Sequence, residues 1–260
     1  MRWLQFMSCW PLCGVLGLLW PGFSVNKLSS NFMGVTMNQE TFYKSSLQID
    51  SGYLSKDFVP DGKLEKSAWS KAQRQRMDTE WGSGRAVPQS GTHVASLWST
   101  RFVYFAFWCK YSVLNIYEGE NSTKERWELW NRDVVEVFLN PTPSRFKHYY
   151  EFEVSPNNQW IDLEIDLGKE PFNDSGWDSG FEHATHVDAK DHIWTCEMRI
   201  PLRSIQVETI LPGQEWRLNF YRADGPGDDS KRKFLSWSPN PSGKSTFHQP
   251  ESFGLVRFRK

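Results

Sequence analysis

The sequence has few cysteines. Only 4 of the 260 residues are cysteine, and Cys9 and Cys13 fall in the first part of the chain. Cys109 and Cys196 each lie in an alternating segment with apolar neighbours two positions away, a position that is typical of buried free thiols. A Cys109–Cys196 disulfide would require the two segments to be neighbouring strands.

The sequence also lacks an excess of charge and the common catalytic motifs. Its formal net charge is −1, so no basic surplus indicates a nucleic-acid partner. It contains no G-x-S-x-G turn, no glycine-rich phosphate loop and no cysteine pair with zinc spacing. These absences leave no support for a serine hydrolase, a nucleotide-binding enzyme or a structural zinc domain.

The N-terminus carries an apolar run that is too short, and too interrupted by proline, to span a membrane comfortably. Arg2 precedes this run and small residues follow it, which predicts a secretory signal peptide over residues 1–24 and a secreted or periplasmic protein. The alternative is an over-extended start, with Met33 or Met37 as the true first residue. The protein would then be cytoplasmic.

The remainder of the chain is dominated by short alternating segments. Residues 25–50 are mixed and polar and predict an irregular lead-in. From residue 51 to 260, apolar and polar residues alternate between Gly/Pro turns, which predicts an all-β fold: a jelly-roll-like antiparallel β-sandwich. Short peripheral helices are predicted in "KLEKSAWSKAQ", "STKERWELW" and "LRSIQ". We expect one domain, a monomer, with no membrane span in the mature chain.

The segment "DVVEVFLNP" has two faces of different character. On a strand, alternate side chains point to the same side. One face is predicted to be core: Asp133, Val135, Val137 and Leu139. The other face mixes apolar residues with a carboxylate: Val134, Glu136, Phe138 and Asn140.

Tryptophan is abundant, with 14 residues, more than a core usually needs. An aromatic face packs well on the apolar face of a sugar ring, and a carboxylate accepts hydrogen bonds from its hydroxyls. Trp130 and Glu136 therefore suggest a sugar site. The alternative is that Trp130 caps the sheet edge and Glu136 faces water.

Several carboxylates recur at strand spacing. Asp162, Glu164 and Asp166, together with Glu151 and Glu153, are predicted to share one face. Residues i and i+2 on a strand are about 6.5–7 Å apart, within the range that glycosidases use for an acid/base pair. An ordinary solvent-facing surface is the alternative.

Two further groups could bind metal. Asp224, Asp228 and Asp229 lie in the loop "ADGPGDDSKRK" and could ligate Ca²⁺, although the spacing is not that of an EF-hand and a flexible turn also fits. His183 and His186 are three residues apart, which is a weak zinc pattern outside a helix.

The order of motifs resembles that of family 9 carbohydrate-binding modules. "PDGKLEKSAWSKA", "LWSTRFVYFAFWCKY", "WNRDVVEVFLNP", "WTCEMRIPLRSI", "WRLNFYRAD", "LSWSPNP" and "FHQPESFGLVRF" follow one another as in that family. The resemblance runs from about residue 58 to 260 and is strongest to stand-alone, secreted bacterial members. It implies a β-sandwich. It also implies bound Ca²⁺, without placing its ligands.

The resemblance assigns roles to particular residues. Two aromatic side chains clamp a sugar in the family, and their positions here are Trp130 and Phe247. Glu136 falls on a hydrogen-bonding carboxylate. Glu153 stands where the family has a basic residue, a departure that bears on sugar specificity. Trp127, three positions before Trp130, is included in the predicted ligand surface.

The predicted function is non-catalytic binding of an oligosaccharide or polysaccharide, serving polysaccharide recognition or catabolism. A glycoside hydrolase, or a partner domain of one, is the alternative and would require two essential carboxylates in one cleft. A haem-binding sandwich is a third possibility and would require a Met/His or His/His axial pair.

Overall fold

The computed structural model describes residues 45–119, 124–228, 231–240 and 246–260. The predicted signal peptide and both alternative start positions lie outside these ranges. Within them, no helix is long and apolar enough to cross a membrane.

Over these residues, the alternating segments of the sequence form 14 strands joined by turns and short helices. The strands are β1 Gln48–Tyr53, β2 Gln75–Met77, β3 Thr79–Glu80, β4 Thr92–Trp98, β5 Phe102–Lys110, β6 Val134–Asn140, β7 His148–Val154, β8 Trp160–Asp166, β9 Asn173–Asp174, β10 Glu182–Asp188, β11 Ile193–Pro201, β12 Glu215–Asp224, β13 Lys233–Ser236 and β14 Gly254–Arg259. In the described ranges, the helices are α1 Ser67–Ser70 and four 3₁₀ turns: Pro88–Ser90, Leu129–Asn131, Leu202–Ile205 and Pro250–Ser252. The irregular lead-in predicted to residue 50 therefore overlaps β1.

The strands form one continuous curled sheet, and 11 of them follow the order β10-β11-β5-β4-β1-β14-β12-β6-β7-β8-β9. Of the other three, β2 pairs with β4, and β13 pairs with β12 and β3. Side chains of β4, β5 and β11 share one buried cluster with those of β6, β7 and β12, so the two halves pack face to face as a sandwich. The all-β prediction with short helices is confirmed. Among the described strands, β1 departs from the antiparallel pattern, because it runs parallel to both β4 and β14.

The core consists of a central cluster and two outer clusters. The central cluster fills the sandwich and contains Val135, Val137 and Leu139, which confirms the predicted core face of β6. One outer cluster, around Trp69, covers the other side of β4 and β5. The second outer cluster covers the other side of β6, β7, β8 and β12 and is described below as the site.

Cys109 and Cys196 are buried free thiols, as predicted. They lie on neighbouring strands but are not opposite one another, because Cys109 pairs with Trp194 and Cys196 with Phe107. Burial raises the pKa of the Cys109 thiol to about 12. The thiol is therefore protonated and inert at neutral pH.

The motif "PDGKLEKSAW" is held against β11 by one buried carboxylate. Glu197 is fully buried and accepts hydrogen bonds from Trp69 Nε1 at 2.7 Å and Lys66 Nζ at 2.9 Å. It also accepts the backbone N–H groups of Asp61 and Gly62 at 2.8 and 3.0 Å. Four donors thus offset the cost of burying this charge.

A glycine is required at position 62, where the loop approaches β10. Its φ of +78° lies in the left-handed region, and a Cβ there would lie 2.6 Å from the backbone carbonyl carbon of Thr185. No side chain fits at that distance, so the glycine lets the loop approach β10 closely.

His183 and His186 do not form a metal pair. Both lie on β10, where residues three apart point to opposite sides. His183 packs against Phe181 and Trp160, and its Nδ1 lies 2.9 Å from Asn158 Oδ1. Burial lowers the pKa of His183 to about 4.

We expect Glu197→Ala to lower the free energy of unfolding by about 3 kcal/mol, since it leaves the buried indole N–H of Trp69 and the buried backbone N–H of Gly62 without their acceptor. Urea unfolding followed by tryptophan fluorescence measures the change. Glu215→Ala is the matched control, because Glu215 pairs with Arg257 at the surface and its loss should cost under about 1 kcal/mol. Equal losses in the two variants would contradict the role given to Glu197.

We expect His183 to make the fold acid-sensitive. Its pKa is depressed from 6.5 to about 4 in the folded state, so its contribution to stability is complete above pH 6.5 and falls between pH 6.5 and 4. His183→Gln should flatten this part of the curve of unfolding free energy against pH. His186→Gln, at an exposed position of the same strand, should leave the slope unchanged; a wild-type slope in His183→Gln would refute the assignment.

Candidate ligand-binding site

The second face of β6 is buried, not solvent-exposed. Val134 and Phe138 from this face join a cluster with Tyr149 of β7, Ile161, Leu163 and Ile165 of β8 and Tyr221 of β12. Trp130 and Phe247 are partly buried and pack against the same cluster. A layer of aromatic and aliphatic side chains therefore covers this outer face of the sheet.

Three carboxylates meet inside this layer. Strand register places Glu136 of β6 directly opposite Glu153 of β7, and Glu151 lies two residues before Glu153 on the same side. One carboxylate oxygen from each lies within 4.8 Å of the other two. We call Glu136, Glu151 and Glu153 the carboxylate triad.

The triad is almost completely removed from water. Relative exposure is 2% for Glu136, 3% for Glu151 and 0% for Glu153. Glu136 Oε1, Glu151 Oε2 and both Glu153 oxygens have no hydrogen-bond partner in the described part of the chain. Buried carboxylates without partners are unusual, because the lost hydration is not replaced.

Burial and neighbouring negative charges raise the pKa values of Glu136 and Glu153. Burial raises the pKa of Glu136 well above its usual value, and the charge of Glu151 adds to this effect, whereas the Arg232 guanidinium opposes it. Burial also raises the pKa of Glu153, followed by the charges of Glu136 and Glu151. The triad is therefore a region where positive charge would be stabilised.

Trp130 is positioned by the turn before β6. Glu128 has a left-handed φ of 63° and precedes the 3₁₀ turn Leu129–Asn131, in which Leu129 is fully buried. This anchor leaves the Trp130 ring partly exposed, with Trp127 packed edge-on at a centroid distance of 5.1 Å. Trp127 itself is 50% exposed.

Phe247 reaches the same cluster from the segment before β14. Its ring stacks on Tyr221 at a centroid distance of 4.2 Å and an interplanar angle of 11°. The Tyr221 hydroxyl donates to the Phe247 carbonyl oxygen at 2.9 Å, and Trp81 packs edge-on at 5.5 Å. These contacts fix the orientation of the ring.

The structure therefore brings Trp130, Phe247, Glu136 and Glu153 together on one face, with Trp127 at its exposed margin. It adds residues that the sequence reasoning missed. Arg232 donates to the Trp130 carbonyl oxygen at 2.7 Å, and its positive charge opposes the rise in the pKa of Glu136. In the sequence, the basic run at the end of "DDSKRK" was the feature that could have indicated Arg232. His248 hydrogen-bonds with Tyr149 at 2.7 Å, and its Nδ1 lies 4.0 Å from Glu151; no sequence pattern pointed to it.

The prediction that five carboxylates share one face is wrong. Glu151 and Glu153 pair with Leu163 and Ile161 across β7 and β8, whereas Asp162 and Glu164 pair with Phe152 and Tyr150. Cross-strand partners lie on the same side of a sheet, so Asp162, Glu164 and Asp166 lie on the side opposite the triad. Asp162 accepts the Ser179 N–H at 3.0 Å, and Glu164 lies 2.7 Å from His148 Nε2.

One carboxylate of the acidic loop predicted to bind Ca²⁺ already has partners within the protein. Asp224 is buried, pairs with the buried Arg222 and accepts a hydrogen bond from Ser90 Oγ. Asp228 is exposed and lies near Lys231, and Asp229 lies outside the described residues. Calcium binding by this loop stays a prediction.

Comparison with known proteins connects this arrangement to a family. The sequence model of the family described as "Carbohydrate family 9 binding domain-like" matches residues 59–260. Among curated proteins, an "Extracellular protein" of Arthroderma benhamiae is 27% identical over 151 residues. That alignment covers 53% of this chain and 65% of the relative, so the chain spans less than two thirds of the relative's length.

Solved structures share the fold at low identity. A candidate carbohydrate-binding protein from Bacteroides uniformis superposes with a TM-score of 0.64 at 19% identity, covering 83% of this chain and 100% of that one. A family 9 carbohydrate-binding module from Caldicellulosiruptor kristjanssonii, in complex with cellotriose, gives 0.57 at 18% identity over 82% and 94%. The same module with glucose gives 0.58 at 18% over 82% and 96%.

Proposed function

The chain belongs to the carbohydrate family 9 binding domain-like family, and from this premise we propose that it binds a carbohydrate without transforming it. The observation that carries the proposal is the joint placement of Trp130 and Phe247, both partly exposed, on one aromatic cluster. Two aromatic faces held by a rigid sheet can clamp a sugar ring through its apolar C–H faces. We assign the clamp to these two residues.

Polar groups beside the clamp complete the proposed site. Glu136 has an oxygen without a hydrogen-bond partner in the described residues, and a carboxylate is a strong acceptor for a sugar hydroxyl. Trp127 extends the aromatic surface at the exposed margin. Only a few stacked rings must offset the ordering of a flexible sugar, so binding is expected to be weak.

We further propose that the protein is secreted and serves polysaccharide recognition or catabolism. Two observations support secretion: the apolar N-terminal run with its basic start, and the description of the Arthroderma benhamiae relative as extracellular. The Caldicellulosiruptor kristjanssonii complexes with cellotriose and glucose make glucose-based oligosaccharides the first ligands to test.

The carboxylate geometry does not favour the alternative of glycoside hydrolysis. Glycosidases hold two carboxyl groups roughly 5–9.5 Å apart so that the scissile bond lies between them. One oxygen from each triad carboxylate lies within 4.8 Å of the other two, which is closer than this spacing, and all three side chains are buried. Asp162 and Glu164, the other proposed acids, lie on the opposite side of the sheet.

We expect Trp130→Ala to weaken oligosaccharide binding by roughly tenfold or more, because it removes one face of the clamp. Calorimetric titration with cello-, xylo-, manno- and galacto-oligosaccharides, beginning with cellotriose, measures the affinity of wild type and variant. Phe247→Ala should act in the same direction.

Trp108→Ala is the matched control. Trp108 is also partly buried, but it packs on the outer cluster of β4 and β5 and should leave sugar affinity unchanged. Circular dichroism establishes that each variant is folded. Absence of binding by the wild type to every sugar, or equal affinity in wild type and Trp130→Ala, would overturn the proposed clamp.

A further inference from the structure

We propose that Glu136, Glu151 and Glu153 form a binding site for one divalent cation of the Ca²⁺ class. The inference does not depend on sugar binding, because it rests on the triad alone. The cation would occupy the carboxylate oxygens that have no hydrogen-bond partner among the described residues.

The first argument is the combination of burial with missing partners. Glu153 is fully buried, and neither of its carboxylate oxygens has a hydrogen-bond partner among the described residues. The carboxylate is nevertheless directed towards Glu136 and Glu151, with an oxygen of each within 4.8 Å. Glu197 shows the contrast, since the same fold gives that buried carboxylate four donors.

The second argument is distance. Ca²⁺ binds oxygen at about 2.3–2.6 Å, so oxygens on opposite sides of the ion are roughly 4.6–5.2 Å apart and adjacent ones are closer. One oxygen from each triad carboxylate lies within 4.8 Å of the other two, and these three oxygens fit around such an ion. Three carboxylates offer six oxygens, the lower end of the number that Ca²⁺ takes.

The third argument is charge. The triad carries three negative charges when ionised, and the Arg232 guanidinium, which acts on Glu136, is always protonated. Within the described part of the chain, two negative charges then remain uncompensated, and a divalent cation would neutralise them. A site made of carboxylates alone suits Ca²⁺, Mg²⁺ or Mn²⁺ better than Zn²⁺, which favours nitrogen and sulfur ligands.

The loop at Asp224 is a weaker candidate for the same ion. Asp224 is already compensated by Arg222 and Ser90, whereas among the described residues the three triad carboxylates share the single opposing charge of Arg232. The structure therefore favours the triad over the loop that the sequence suggested.

The test is a titration of Ca²⁺ alone into the full chain after removal of metal with EDTA and dialysis. Calorimetry should show one saturable site in the wild type, and thermal melting should show Tm raised by roughly 5–10 °C at a Ca²⁺ concentration of 100 times Kd. Glu153→Gln should reduce the affinity by roughly 10–100-fold, since it replaces a charged carboxylate by a neutral amide with a single oxygen.

Glu153→Gln also distinguishes lost binding from misfolding. It removes a negative charge from a repulsive cluster, so its Tm in EDTA should equal or exceed that of the wild type, and Ca²⁺ should no longer raise it. Glu164→Gln, on the opposite side of the sheet from the triad, is the matched control and should bind Ca²⁺ like the wild type. No heat and no Tm shift with Ca²⁺, Mg²⁺ or Mn²⁺, or unchanged affinity in Glu153→Gln, would overturn the proposal.

Cellotriose titrations with and without Ca²⁺ keep the two proposals separate. Ca²⁺ binding with no response to any sugar would leave the cation site standing and refute the sugar clamp. Sugar binding that is unchanged by EDTA, in a chain that gives no response to the three cations, would do the reverse.

Discussion

Both faces of β6 and β7 are buried, and the site depends on this double burial. On one side, alternate residues fill the sandwich. On the other side, aromatic side chains from β12, the turn before β6 and the segment before β14 cover the same strands. A glutamate on the second face is thereby enclosed, whereas the same residue on a two-layer sandwich without this cover would face water. Three enclosed glutamates define the chemistry of the region.

The molecule deals with buried carboxylates in two different ways. Glu197 is surrounded by an indole N–H, an ammonium group and two backbone amides, so its charge is stabilised within the fold. Among the residues that the structure describes, the triad has no such set of donors, and Arg232 supplies one positive charge near Glu136. The first arrangement fastens a loop to the sheet. The triad leaves buried negative charge that a bound cation or protons must neutralise.

The aromatic residues of the site are held by one another and by the backbone. Trp130 is oriented by a left-handed turn and by the carbonyl oxygen that Arg232 binds. Phe247 is oriented by stacking on Tyr221, the β12 residue directly opposite Glu136. Each ring thus touches an element that also borders the triad, so the proposed clamp and the carboxylates are parts of one surface. Rigid placement of this kind lowers the entropic cost of holding a weakly bound ligand.

Alternation along each strand determined much of this fold from sequence alone. It gave the all-β class, the core face of β6 and the buried thiols, because side-chain direction on a strand repeats every two residues and needs no tertiary information. The motif order also pointed to Trp130, Glu136, Phe247 and Glu153. Only the tertiary structure decided which faces of different strands coincide: cross-strand register joined Glu136 to Glu153 and put Asp162 and Glu164 on the opposite side. The same holds for burial and for the approach of Arg232 and His248, since these depend on elements far away in the chain, and alternation within one strand carries no information about them.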